Sequence, residues 1–449
     1  NDSADYFLGG RDATWLAIGA SIFASNIGSE HLIGLAGAGA SSGMAMAHWE
    51  IQGWMILILG WVFVPFYTRS MVYTMPEFLE RRYNPQSRTI LSVISLVSYV
   101  LTKVAVTVYA GGLVFQQVFG IKELWGIDFF WIAAIGLVVL TALYTIFGGM
   151  KSVLYTSVLQ TPILLLGSLI ILVLGFKELG GWDEMMRVCG AVTVNDYGDT
   201  MTNLIRSNDD ANFPWLGALI GSAIIGFWYW CTDQFIVQRV LSGKNEMEAR
   251  RGTIFGAYLK LLPVFLFLIP GMIAFALHQK YIGAGGEGFL PMLENGTANA
   301  DAAFPTLVAK LLPAGVKGLV VCGILAALMS SLASLFNSSA MLFTIDFYKR
   351  FRPQTSEKKL VGIGQVATVV IVILGILWIP IMRSVGDVLY TYLQDVQSVL
   401  APGIAAAFLL GICWKRTSAQ GGMWGLISGM VIGLTRLGAK VYYSNAGEV

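Results

Sequence analysis

Apolar runs long enough to cross a lipid bilayer recur along almost the whole chain of 449 residues. A helix of about 20 apolar residues spans the ~30 Å hydrocarbon core of a membrane. Lipid offers the backbone no hydrogen-bond partners, so such runs cross it as helices. The pattern predicts an all-α polytopic membrane protein. We count eleven apolar segments, with approximate limits 13–43, 45–68, 89–119, 125–148, 153–176, 214–241, 252–278, 315–347, 361–382, 385–413 and 420–441.

The composition agrees with lipid as the main solvent of this chain. Hydrophobic residues make up 56% and charged residues 12%, whereas soluble proteins have about 25% charged residues. The net charge of +2 is too small to indicate a nucleic-acid partner. The sequence contains no phosphate-binding loop, cysteine–histidine metal motif or nucleophile–base motif, so it does not point to an enzyme.

The spacing of the segments predicts one transmembrane transport domain, residues 1–449, with an internal duplication. Five segments precede a long polar loop at 177–213 and five follow it. An odd number of spans per unit inserts the second copy upside down. We therefore expect a first five-helix repeat at 13–176, an inverted second repeat at 214–413 and an additional helix at 420–441. Lysine and arginine are more frequent on one side, which predicts a cytoplasmic entry to the first span.

The first span carries polar residues where a membrane helix is normally apolar. Asn26, Gly28, Ser29, Glu30 and His31 coincide near its middle. An interrupted helix fits this pattern, because its freed carbonyls can coordinate a cation or a ligand. The alternative is a straight helix that packs closely through small residues, which explains the glycine but not the polar cluster.

The eighth span is dense in hydroxyls, at Ser330, Ser331, Ser334, Ser338 and Ser339. Hydroxyl and carbonyl oxygens are suitable ligands for a hard cation such as sodium. Serines in membrane helices also hydrogen-bond to their own backbone and ease packing. The residues alone leave both interpretations open.

Three ionisable side chains, Glu50, Lys103 and Lys260, fall within predicted spans. Charged groups in a membrane interior are costly and by default functional, although each could reach an interface instead. Asp233 and Asp346 lie near predicted span ends, so we expect both to be solvated helix ends.

Aromatic residues accompany amides in two of the later spans. Tyr229 lies between two tryptophans in the sixth span, and Tyr390 precedes Gln394 in the tenth. Aromatic belts at the lipid interface would explain isolated rings. Beside amides, the same rings favour stacking on a neutral, hydroxylated ring.

Several blocks of sequence are distinctive in their residues and spacing. They are DYFLGGR at 5–11, ASNIGSEHLIGLAG at 24–37, YTMPEFL at 73–79, YWCTDQ at 229–234, QRVLSGKN at 238–245 and FLLGICWKR at 408–416. Together they resemble the sodium/solute symporter family, in its sodium/glucose cotransporter branch. The resemblance extends from residue 5 to about residue 440, with the blocks in the family's order and spacing.

The resemblance implies a fold, an activity and a location. The fold would be the LeuT-type inverted repeat of five plus five helices with additional helices, and the family has further helices beyond both ends of this sequence. The activity would be sodium-coupled secondary active symport of a neutral sugar, glucose- or galactose-like, by alternating access in the cell (plasma) membrane. The alternative substrate is myo-inositol or another small organic solute. A channel or a membrane sensor is less favoured, because no repeated pore loop or signalling domain is visible.

The resemblance also implies roles for individual residues. Sodium would be held by the carbonyls of Ala24, Ile27 and Ala327 and the hydroxyls of Ser330 and Ser331. The substrate contacts would be Asn26, His31, Glu50, Lys103, Lys260, Gln394 and the stacking residue Tyr229. The outer gate would be Leu35, Trp49 and Tyr390.

Four positions depart from the family pattern. Ser157 stands where the sugar branch usually has an aspartate connected with cation passage, and Ala333 replaces a threonine beside it. These two changes predict one sodium ion per sugar. Gly53 and Gly226 stand where some sugar transporters have polar contact residues. Trp49 and the Ser-Glu-His sequence at 29–31 are at least as similar to the inositol-transporting members as to the glucose-transporting ones.

Overall fold

The structure, a computed structural model, describes residues 2–28, 30–293, 296–383 and 389–445. It describes their side chains except at 101, 381–383, 389–395, 437 and 440–445. The described part is almost entirely helical, as the apolar runs predict. One short antiparallel hairpin pairs Glu123–Leu124 with Ile127–Asp128.

Helices occupy the first five apolar runs. Their bounds are Trp15–Asn26, Glu30–Leu35 and Ala36–Ser42; Gly43–Met46, Ala47–Ile51, Gln52–Trp54, Met55–Ile58, Leu59–Phe63 and Val64–Ser70; Pro85–Ser98, Tyr99–Val104 and Ala105–Phe119; and Phe129–Leu179, which covers the fourth and fifth runs. A kink at Gly149 (φ 55°, ψ −152°) divides this last helix. Only glycine fits there, because a Cβ atom would lie 2.5 Å from the carbonyl oxygen of Tyr6.

Helices also occupy the later runs and several connections. The later spans are Trp215–Gly226, Phe227–Thr232 and Gln234–Leu241; Glu246–Leu259, Val264–Leu268 and Ile269–Gly283; Ala314–Met341, Leu342–Tyr348 and Lys349–Phe351; Glu357–Arg383; Leu389–Cys413; and Ala419–Asn445. The connecting helices are Ser3–Leu8, Gly9–Arg11, Met75–Arg82, Trp182–Gly190, Ala300–Ala302 and Ala303–Leu311. Within the described residues, eight helices are long and apolar enough to cross a membrane. Their number is below eleven partly because consecutive runs join into continuous helices.

Two of the spans are interrupted in the middle. In the first span the helix ends at Asn26, Ile27 is non-helical (ψ 87°) and a wide π-helical turn begins at Glu30. The predicted interruption is therefore confirmed. In the sixth span Asp233 is extended (ψ 129°) between two helices. Each break lies in the first helix of a predicted repeat, as an inverted duplication would require; the repeat bounds stay a prediction.

The broken first span lies in the core of the bundle. Its first half, Trp15–Asn26, packs against the helices Glu246–Leu259 and Phe129–Leu179. The helix Phe129–Leu179 also packs along Ala314–Met341. All of its residues from Ala17 to Asn26 are buried. Because polar groups in such a core need partners, the residues around the break are the first place to look for a site.

The prediction that Asp346 is a solvated helix end is wrong. Its side chain is buried and accepts hydrogen bonds from Arg88 Nε (2.8 Å), Thr74 Oγ1 (2.8 Å) and Ser92 Oγ (3.0 Å). Its partners lie more than 250 residues earlier in the chain. The apolar pattern around Asp346 therefore could not indicate that it is paired.

Candidate functional site

Serine hydroxyls of the eighth span lie directly against the break in the first span. Ser331 Oγ donates a 2.8 Å hydrogen bond to the carbonyl oxygen of Ser25. A Cβ atom on Gly28 would come within 2.5 Å of the same hydroxyl, so the backbone approaches Ser331 as closely as glycine permits. Ser330 Oγ lies 3.2 Å from Ser157 Oγ of the fifth span. Three spans therefore bring oxygens together at the break.

The break also releases backbone carbonyls. The amide of Gly28 donates to the carbonyl of Asn26 (3.0 Å) instead of the carbonyl of Ala24, which a continuing helix would use. Ile27 follows with a non-helical backbone. Ala327 is buried one helical turn before Ser330 and Ser331. The five predicted sodium ligands thus occupy two segments in contact, and their carbonyl and hydroxyl oxygens are of the kind that hard cations prefer. The buried Arg239 lies beside them, with its Nε donating to Ser25 Oγ at 3.1 Å.

His31, Glu50 and Lys260, from the first, second and seventh spans, form a compact charged cluster. Lys260 Nζ lies 2.6 Å from Glu50 Oε2 and 2.6 Å from His31 Nε2, while His31 Nε2 lies 3.1 Å from Glu50 Oε1. All three side chains are buried, so they do not reach an interface. A buried carboxylate and ammonium need each other, which fixes the three spans relative to one another. We call these residues the charged triad.

The charged triad lines a small cavity. The cavity has a volume of about 30 Å³. Predicted contacts Asn26 and Tyr229 share it, and the Asn26 Nδ2 atom donates a 2.9 Å hydrogen bond to the Tyr229 hydroxyl. A cavity of this size holds about one or two water molecules. A ring-shaped solute would therefore require the spans to separate. The lining residues are Asn26, Glu30, His31, Trp49, Glu50, Gln52, Tyr229, Trp230, Lys260 and Gln397.

Lys103 lies on a second, smaller cavity of about 10 Å³ that shares Asn26, Glu30 and Tyr229 with the first. Its Nζ atom pairs with Asp233 Oδ2 at 2.6 Å and lies 4.4 Å from the centre of the Tyr229 ring. The prediction that Asp233 is a solvated helix end is wrong. It is buried, accepts a hydrogen bond from the Tyr99 hydroxyl and caps the helix that follows the break.

The predicted gate residues are only partly described. Leu35 is buried in the first span, and Trp49 borders the larger cavity. The side chains of Tyr390 and Gln394 lie outside the described residues. Their predicted roles as a gate and a substrate contact stay predictions.

Four lining residues were not predicted as substrate contacts: Glu30, which the sequence showed only as part of the polar cluster, and Gln52, Trp230 and Gln397. Gln52 is the one that glycines in the sequence could have indicated. A Cβ atom on Gly226 would lie 2.7 Å from Gln52 Oε1, and a Cβ atom on Gly53 would lie 2.6 Å from Lys260 Cγ. Gln52 and Lys260 therefore occupy the space that larger residues would take at these positions. At these two glycines, the polar group on the cavity is therefore supplied by Gln52 and by Lys260.

Comparison of the sequence with known proteins identifies the family of this chain. A family model described as the sodium:solute symporter family matches residues 6–429. Sodium/myo-inositol cotransporter 2 of Homo sapiens is 40% identical over 445 residues, covering 96% of this chain and 65% of that protein. Sodium/myo-inositol cotransporter of Homo sapiens is 39% identical over 454 residues, covering 96% and 62%. The chain thus spans a little less than two thirds of the length of these relatives.

Solved structures share the fold. A substrate-bound, outward-open Na⁺-coupled sialic acid symporter aligns with a TM-score of 0.78 and 22% identity, covering 96% of this chain and 91% of that one. MhsT in complex with L-phenylalanine aligns with a TM-score of 0.58 and 13% identity, covering 94% and 96%. These likenesses confirm the expected LeuT-type fold of a multi-pass membrane protein. With the family match over nearly its full length, the chain belongs to the sodium:solute symporter family, whose members are transporters and not enzymes.

Proposed function

We propose that this chain is a sodium-coupled secondary active symporter of myo-inositol or a closely related polyol. The observation that carries the proposal is the charged triad on a cavity that adjoins the oxygen-lined break of the first span. The sequence favoured a glucose- or galactose-like sugar and kept myo-inositol as the alternative. The relatives at 39–40% identity are named for myo-inositol and support that alternative.

The chemistry of the cavity suits a neutral ring that bears hydroxyls. Glu50 and Asn26 offer acceptors, Lys260 offers donors, and His31 offers either according to its tautomer. Trp49, Trp230 and Tyr229 border the same space and provide flat surfaces for the apolar faces of a ring. A neutral solute leaves the Glu50–Lys260 ion pair intact and adds no charge to the membrane interior, where charges are costly.

Coupling to sodium follows from the position of Asn26 and His31. Both flank the break, and the break carries the carbonyls of Ala24 and Ile27 that would hold the ion with Ala327, Ser330 and Ser331. A cation that orders this backbone also orders the two substrate contacts. Binding of one ligand then favours binding of the other, because both stabilise the same conformation.

Uptake by the purified protein in liposomes tests the proposal. An inward sodium gradient should drive accumulation of labelled myo-inositol, while an equal potassium gradient and protein-free liposomes should not. Unlabelled myo-inositol should compete better than D-glucose or D-galactose. Stronger competition by glucose would indicate that the transported substrate is a glucose-like sugar. Uptake that does not depend on sodium would refute sodium-coupled symport.

A further inference from the structure

Glu30 is a carboxylate on the substrate cavity that the charged triad does not use. It begins the helical turn after the break in the first span and lines both cavities. Glu50 is held by Lys260 and His31, and Asp233 is held by Lys103 and Tyr99. Among the described residues, no side-chain donor lies within hydrogen-bond or ion-pair distance of the Glu30 carboxylate, which interacts with Lys103 and Lys260 only at longer range. Its acceptor capacity is therefore free.

A second acceptor beside Glu30 also lacks a partner. Asn26 is buried, and its Nδ2 atom is committed to Tyr229, yet its Oδ1 atom has no hydrogen-bond partner among the described residues. Gln52 Oε1, on the same cavity, is likewise unpartnered there. Buried acceptors without donors are costly, so the cavity is complementary to a ligand that brings donors.

We propose that Glu30 is the residue that selects a carbocyclic polyol over a pyranose sugar. Its carboxylate accepts hydrogen bonds from two adjacent hydroxyls of the substrate, and Asn26 Oδ1 accepts a third. A cyclohexane polyol with six hydroxyls presents a donor at every ring carbon. A pyranose also carries adjacent hydroxyls, but its ring oxygen replaces one donor by an acceptor, and that oxygen repels a carboxylate that faces it. The inference rests on the proposed function and extends it by naming the residue that determines the substrate class.

The size of the effect follows from the charge of the acceptor. Hydrogen bonds to a charged group contribute more than neutral ones. Replacing the carboxylate by an amide of the same shape, Glu30→Gln, removes the charge and introduces an N–H that can donate to a ring oxygen. The preference for myo-inositol should fall, while D-glucose should be tolerated as well as before or better.

Sodium-driven uptake into liposomes measures both substrates on both proteins. For Glu30→Gln, we expect the half-saturating myo-inositol concentration to rise about ten- to a hundredfold. The half-saturating D-glucose concentration should change less than about threefold. Glu30→Asp keeps the carboxylate on a shorter side chain and should keep myo-inositol ahead of glucose. The proposal would be overturned if the ratio of the two half-saturating concentrations were the same in Glu30→Gln as in the unmutated protein, whether or not both affinities fall.

Two further readouts separate this proposal from others. Trp49 and Trp230 border the cavity, so quenching of tryptophan fluorescence reports myo-inositol binding in detergent without transport. If the unmutated protein binds but does not accumulate myo-inositol, symport fails, and the ratio of binding constants still decides the role of Glu30. If Glu30→Gln instead raises the sodium concentration needed for glucose uptake, Glu30 is a cation ligand and the proposal is wrong.

Discussion

Lys260 Nζ and Glu50 Oε2 lie 2.6 Å apart between the seventh and second spans, and each side chain is only 4% exposed. His31 of the first span contacts both. The ion pair joins the second and seventh spans, and His31 connects it to the broken first span. Neither the second nor the seventh span carries a predicted sodium ligand. The same pair borders the cavity, so its contribution to stability and its proposed role in substrate binding have to be separated by mutation.

Breaking this pair on one side should destabilise the protein, and removing it entirely should not. Lys260→Met leaves the Glu50 carboxylate buried without its cation, which costs about 3–5 kcal/mol. The double variant Glu50→Gln/Lys260→Met removes both charges and should recover most of the thermal stability measured in detergent. It should nevertheless fail to bind myo-inositol. Normal uptake by the double variant would show that the pair is only structural.

The serine hydroxyls at the break should set the affinity for sodium. Ser330→Ala or Ser331→Ala removes one oxygen from a desolvated ion, at about 1–3 kcal/mol for a hydrogen bond of this kind. The sodium concentration for half-maximal uptake should rise about five- to a hundredfold. Ser339→Ala is a matched control, because Ser339 is buried on the same helix and its hydroxyl has no partner among the described residues. Equal sodium dependence in all three variants would remove these serines from the site.

Features that depend on residues close together in sequence were predictable, and features that depend on contacts between distant residues were not. The break in the first span was predictable, since Asn26, Gly28 and His31 are neighbours in sequence and conflict with an apolar helix. The break at Asp233 was not, because an aspartate near the end of an apolar run also fits a solvated end. Its partner Lys103 is 130 residues away, and no local pattern connects the two.

The cavity lining shows the same limit. Family resemblance predicted the three residues of the charged triad as substrate contacts but not their pairing, and Glu30 was visible only as one polar residue among several. Its separate role depends on which carboxylates are already paired, and pairing across spans is a property of packing. Gln52 was missed for a related reason: it fills the space left by Gly226, a residue from another span.

Adding one methyl group at Gly53 should disturb the proposed substrate site. The new Cβ atom would lie 2.6 Å from Lys260 Cγ, so the lysine stem has to move away from Glu50. Overpacking of this kind costs about 1–3 kcal/mol, and the half-saturating myo-inositol concentration should rise about fivefold or more. Gly136→Ala is the control, because a Cβ atom there meets no other atom within 4 Å. If both variants transport equally well, Lys260 does not need its present position.

We expect one sodium ion to move with each solute molecule. A second site would need a carboxylate or more oxygens to offset the lost hydration. Ser157 contributes only a hydroxyl 3.2 Å from Ser330, and Ala333 contributes none. Reversal potentials of the reconstituted protein give the ratio directly, because two coupled ions double the sodium term. A ratio near two would show that hydroxyls and carbonyls alone build a second site.

The most direct test of coupling through the broken first span is the mutual dependence of the two affinities. Myo-inositol binding is measured in detergent with and without saturating sodium, and sodium binding with and without saturating myo-inositol. Linkage requires the same factor in both directions, and we predict about five- to 150-fold, the usual range of such couplings. A myo-inositol affinity that does not change with sodium would contradict the proposed symport.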